Sequence, residues 1–119
     1  MENLSVQKCV PCEGGTPALT QMEIDEYLKK VPTWHQVDQK IQKSFKFSAK
    51  GEPASGGQDP FMQALAFVNK VGEIAESEGH HPDIKLGWGY VEITLWTHAV
   101  EGLSRNDFIL ASKIDQVKI

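Results

Sequence analysis

The chain has 119 residues, enough for one domain with a single modest core, and 12 basic against 16 acidic side chains give a formal charge of -4. That balance, with no run of Lys or Arg, argues against a nucleic-acid partner, and no apolar stretch approaches the roughly 20 residues of a membrane span. With no leader of signal-peptide type either, the expected location is cytoplasmic.

Residues 1–18 show no periodicity and read as an irregular arm, ahead of a single domain over 19–119. Within the arm, Cys9 and Cys12 are too few and too local for a disulfide framework. They bear comparison with a redox pair or half a zinc site. The first needs a strand before and a helix after, the second needs further ligands, and the sequence shows neither.

Thr20 and Glu23 have the spacing of a capping box, with Leu19 and Ile24 as a hydrophobic staple. Ile24, Tyr27, Leu28 and Val31 then recur at helical spacing, and Pro32 disfavours helix at Val31, which predicts a helix over about 21–30. From Trp34 to Val37 and Ile41 to Phe47 the period changes to two, with Asp38 and Gln39 as the turn of a hairpin. Ile41, Phe45 and Phe47 face one way, and Lys40, Gln42, Ser44 and Lys46 the other.

Residues 51–59 have linker composition. Asp59 and Pro60 then suit a helix start. An apolar stripe of Phe61, Ala64, Leu65, Val68, Val71 and Ala75 predicts the main core helix over about 60–77, with Gln63, Lys70, Glu73 and Ser77 toward water and Gly79 at its end. Ile84 and Leu86, then Val91, Ile93 and Leu95, alternate on either side of a Gly87-Trp88-Gly89 turn, forming a second hairpin. Ser104 and Asp107 open a last helix whose buried side is Leu110, Ile114 and Val117.

Helix, hairpin, helix, hairpin, helix, each helix with one apolar face, predicts an α+β two-layer sandwich. Its four-stranded antiparallel sheet carries three helices on one face. Tyr90, Trp96 and Trp88 on the open face point to a homo-oligomer.

Three of the four histidines fall between positions 80 and 98. Histidine, with an ordinary pKa of about 6.5, both gives and takes a proton near neutrality. Pro82 keeps His81 extended, so His80 and His81 point to opposite sides and take different roles. The same divergence argues against a shared metal ion, and no Gly-x-Ser-x-Gly elbow supports a covalent nucleophile. His98 lies in phase with Thr94 and Trp96. For Asp107, a capping role and a site role are compatible.

With every spacing kept, Glu76, His80-His81-Pro82, Trp88, His98 and Asp107 resemble the signature of the pterin-4a-carbinolamine dehydratases. The αββαββα order agrees with that family's fold from about residue 20 onward. Trp34 resembles the tryptophan that opens the family's first strand, and a Cys-x-x-Cys arm occurs in some bacterial and plant-type members. The sequence departs from the family at Gly79, where relatives often carry an acidic residue, and in its longer linker.

The resemblance implies a dehydratase, 4a-hydroxytetrahydrobiopterin dehydratase in type, that converts 4a-hydroxytetrahydropterin to quinonoid dihydropterin. It implies no metal or organic cofactor and a place in tetrahydrobiopterin recycling beside an aromatic amino acid hydroxylase. It also implies a homodimer or homotetramer. By the same resemblance, His80 and His98 form the acid/base pair, His81 shapes the pterin site and Asp107 orients a histidine. Pro82, Glu76, Trp34 and Thr97 then stand on the substrate-binding side. The competing readings are a non-catalytic module, of the transcriptional dimerisation-cofactor or Rubisco-assembly type, and a zinc protein using Cys9, Cys12 and histidines.

Overall fold

A computed structural model of the chain describes residues 4–6, 17–48 and 59–117. Residues 49–58, which hold the linker up to Asp59, the last two residues and the arm positions holding Cys9 and Cys12 lie outside them. Helix α1 spans Gln21–Leu28, α2 Pro60–Glu78 and α3 Arg105–Asp115. Strands are β1 His35–Val37, β2 Lys40–Lys46, β3 Asp83–Gly87 and β4 Tyr90–Leu95.

The capping box forms as expected: Glu23 N–H donates to Thr20 Oγ1 at 3.2 Å, and Thr20 N–H donates to Glu23 Oε1 at 2.8 Å. The regular part of α1 stops at Leu28, short of Lys30. Lys30 and Val31 N–H bond instead to the carbonyls of Tyr27 and Leu28, a tightened last turn that delivers Val31, 1 % exposed, into the core ahead of Pro32.

All strand pairs are antiparallel, in the order β1-β2-β4-β3. The two hairpins therefore join through β2 and β4, in the register Ile41↔Leu95, Lys43↔Ile93 and Phe45↔Val91. Asp38 turns the first hairpin at φ 55, a left-handed conformation that Asp tolerates better than most residues.

Burial along β4 alternates strictly. Val91, Ile93 and Leu95 have no exposed surface, while Tyr90, Glu92 and Thr94 are half-buried. On the covered face these strand residues join Ile24 and Val31, Ala64, Phe67 and Val71 of α2, and Phe108, Leu110 and Ile114 of α3 in one apolar cluster. The result is the α+β architecture read from the pattern. Among the described residues, no helix is long and apolar enough to cross a membrane.

Three side chains depart from the sequence pattern. Gln63, placed toward water by its polarity, is 7 % exposed, and its amide donates to the Ser48 carbonyl at 3.1 Å. Phe61, counted in the apolar stripe, is 39 % exposed. Lys43 lies on the covered side of β2 in phase with Ile41 and Phe45, its ammonium 2.7 Å from Asp115 and 4.6 Å from the Phe45 ring centroid. The aliphatic stem of a lysine can line apolar surface while its head finds a charge, so a polar symbol in the alternation does not imply the solvent face.

Leu4, in the stretch read as an arm, is 3 % exposed and belongs to the core cluster. The turn Leu4–Val6 lies against α3, which is buried nearly all round from Asn106 to Ala111.

Candidate active site

Three element ends meet at the site: the end of α2, the segment after β4 and the start of α3. At the end of α2, Gly79 adopts φ 65, and its N–H and that of His80 bond back to the carbonyls of Glu76 and Ala75, each at 3.2 Å. This is the Schellman arrangement, in which a residue without Cβ reverses the chain at little steric cost. His80 is the first side chain after the reversal.

From there His80 Nε2 reaches Asp107 Oδ1 at 2.6 Å. Asp107 stands in the first turn of α3 with no exposed surface, and its other oxygen accepts Ser104 N–H at 2.9 Å and Thr97 Oγ1–H at 2.8 Å. Since the single Thr97 hydroxyl proton goes to Asp107, the 2.8 Å contact between Thr97 and Ser104 is a donation from the Ser104 hydroxyl. The carboxylate thus accepts from three groups on three segments. A buried carboxylate requires such partners, because burying it unpaired is costly.

The partnership also sorts the two nitrogens of His80. With Nε2–H committed to a carboxylate, the neutral imidazole presents Nδ1 as its basic atom. Among the described residues, Nδ1 makes no hydrogen bond. The His80 side chain is 12 % exposed, so it is screened without being sealed off.

Thr97 follows β4 and is locked by a two-way bridge to Gly102, with N···O distances of 2.8 and 3.3 Å. His98 is its neighbour and opens a single helical turn, His98–Val100, closed by Glu101 at φ 54. Because Thr97 is bonded into the His80–Asp107 network, His98 is held at the same corner of the fold. Its side chain is exposed and its ring lies 3.8 Å, centroid to centroid, from that of Trp96.

The remaining candidates divide. His81 Nε2 sits 2.9 Å from Glu76 Oε1, both side chains being mostly exposed, a pair of the kind that contributes little to stability. Pro82 is half-buried between His81 and the start of β3. Trp34 does not join the cluster: it is 3 % exposed, packs edge-on to Phe45, and donates its indole N–H to Asp115 at 3.1 and 3.2 Å. Asp115 is the last residue of α3, about 12 Å along the helix from Asp107 at 1.5 Å per residue. Thr97 is present as read, but its hydroxyl is engaged by Asp107.

Sequence reasoning missed the Ser104 hydroxyl and the Trp96 contact. The second had a signal, since residues 96 and 98 share a side of an extended chain. A surface depression of about 300 Å³ lies elsewhere, lined by Ile74, Ser77, Glu78, Lys113 and Gln116, and contains neither histidine.

With this geometry in place, comparison with known proteins is informative. Residues 17–117 match the family described as Pterin 4 alpha carbinolamine dehydratase. A protein of Methylococcus capsulatus is 43 % identical over 117 residues, covering 97 % of this chain and 93 % of its own. One of Halorhodospira halophila is 44 % identical over 115 residues, covering 95 % of each. Both names provisionally assign pterin-4-alpha-carbinolamine dehydratase. A crystal structure of a transcriptional coactivator/pterin dehydratase from Brucella melitensis superposes with a TM-score of 0.69 at 31 % identity, covering 82 % of this chain and 95 % of that one.

Proposed function

The chain belongs to the pterin 4 alpha carbinolamine dehydratase family, and on that premise we propose that it is a hydro-lyase converting 4a-hydroxytetrahydropterin to quinonoid dihydropterin. The observation that carries this reading is the His80–Asp107 contact at 2.6 Å, into which Thr97, the residue before His98, donates its hydroxyl.

The reaction forms a C4a=N5 double bond, which requires loss of the N5 proton and departure of the C4a hydroxyl as water. His80 is suited to removing the proton, because its free Nδ1 takes it from N5 while the Asp107 carboxylate stabilises the imidazolium that results. His98, exposed and uncommitted to any carboxylate, delivers the proton that turns hydroxide into water. Exchange with solvent then resets both rings. His81 and Pro82 shape the pterin side of the site, and Glu76 and Thr97 contribute there only through His81 and Asp107.

The test is the rate at which freshly generated carbinolamine decays. His80→Ala and His98→Ala should each lower turnover by about 10²–10⁴-fold with the fold intact, the range that general acid and base groups supply. A double variant as fast as the parent would overturn the reading.

A second reading draws on the Brucella melitensis relative, described both as a coactivator and as a pterin dehydratase. A chain serving only as a binding module would leave carbinolamine decay at its spontaneous rate. In either role the open sheet face, with Trp88 68 % exposed at its edge, is the surface on which the chain forms a homo-oligomer. The chemistry places the enzyme downstream of a hydroxylase that leaves a 4a-hydroxylated pterin.

A further inference from the structure

The two imidazoles of the site are held in different ways. His80 is fixed by a carboxylate, whereas among the described residues no hydrogen bond or ion pair reaches the His98 imidazole. An exposed histidine of that kind distributes over several staggered rotamers, and only some of them serve a reaction.

The structure supplies another restraint. Thr97 turns its hydroxyl into the Asp107 network, so Trp96 and His98, its neighbours on either side, project away from it together. Their rings meet at 3.8 Å between centroids, tilted by 45°. The indole is braced in turn from the adjacent strand, where Lys40 Nζ lies 4.8 Å from its centroid.

We propose that Trp96 is a positioning residue for His98, its indole confining the imidazole to the orientation from which it exchanges a proton with substrate. The proposal rests on the reading of His98 as the acid. The chemistry of the restraint suits that role. A carboxylate would hold the imidazole proton, as Asp107 does for His80, whereas an indole has no ring acceptor and restrains by contact alone. Both nitrogens of His98 stay free to transfer.

Two measurements test this. In the free protein, His98 ring protons, assigned by their loss in His98→Ala, should show an upfield ring-current shift and nuclear Overhauser contacts to the Trp96 indole. Trp96→Leu should abolish the shift and lower kcat about tenfold with KM within about twofold, the signature of lost orientation. Trp96→Phe, which keeps an aromatic face, should recover most of the rate.

Absence of the indole–imidazole contacts in the parent protein would overturn the proposal whatever the variants do. So would a Trp96→Leu protein with parental kcat when His98→Ala is slow. Parental rates in His80→Ala and His98→Ala together would instead remove the dehydratase reading, and this proposal with it.

Discussion

Lacking any exposed surface, the Asp107 carboxylate depends on His80, Thr97 and Ser104 for all the hydrogen bonds the structure gives it. The arrangement lets one side chain do two jobs, closing the first turn of α3 and choosing which nitrogen of His80 is basic. Asp107→Asn separates them. An amide of the same shape can keep the Ser104 contact, but its NH₂ group toward His80 favours the opposite tautomer and leaves no negative charge opposite the imidazolium. Turnover should fall at least about 10²-fold, with the circular dichroism spectrum retained. An Asn variant at more than a tenth of the parental rate would show that the carboxylate acts only as a cap.

Between elements, a second carboxylate plays a structural part. Asp115 at the end of α3 accepts from the Trp34 indole and from Lys43 of β2, tying the segment before β1, the sheet and the last helix together. Trp34 is buried, so Asp115→Ala strands its N–H as well as removing an ion pair. The expected loss is about 1–3 kcal/mol, seen as a lower urea midpoint with an unchanged slope. Activity per folded molecule should persist, because none of these groups touches the His80–Asp107 pair. An unshifted midpoint would mean that the contact contributes nothing net. The same cluster accounts for the position of Trp34: a tryptophan just before β1 finds its acceptor at the end of α3, not at the histidines.

At the scale of the whole molecule, one face of the sheet is covered and the other is open; the open face carries half-buried Tyr90 and Trp96, and Trp88 stands exposed in the turn between β3 and β4. Aromatic area of this kind is expected to be covered by a second copy of the chain. Light scattering should therefore return two or four times the chain mass at micromolar concentration. A single-chain mass there would count against the homo-oligomer.

Much of the architecture was legible in advance because it rests on local chemistry. Thr20 and Glu23 make a capping box from their spacing alone, Asp59-Pro60 starts a helix, and the alternation through Val91, Ile93 and Leu95 names the buried face of β4. The histidine candidates were equally plain, since His80-His81-Pro82 stands at a junction and His98 follows a strand. What local pattern could not supply was partnership. Lys43 and Gln63 are polar symbols in a hydropathy pattern, and only packing shows that one meets Asp115 and the other the Ser48 carbonyl.

By itself the sequence determined the element order, the faces and the family signature from Glu76 to Asp107, because periodicity, caps and spacing are properties of neighbouring residues. The tertiary structure alone decided that Asp107 pairs with His80, that Thr97 serves that carboxylate, that Trp34 belongs to the core and that Trp96 lies against His98. Most of these contacts join segments distant along the chain, and even the local Trp96 contact depends on which way Thr97 is turned. A buried carboxylate takes whichever donors the packing of β4, α2 and α3 brings within about 3 Å of it.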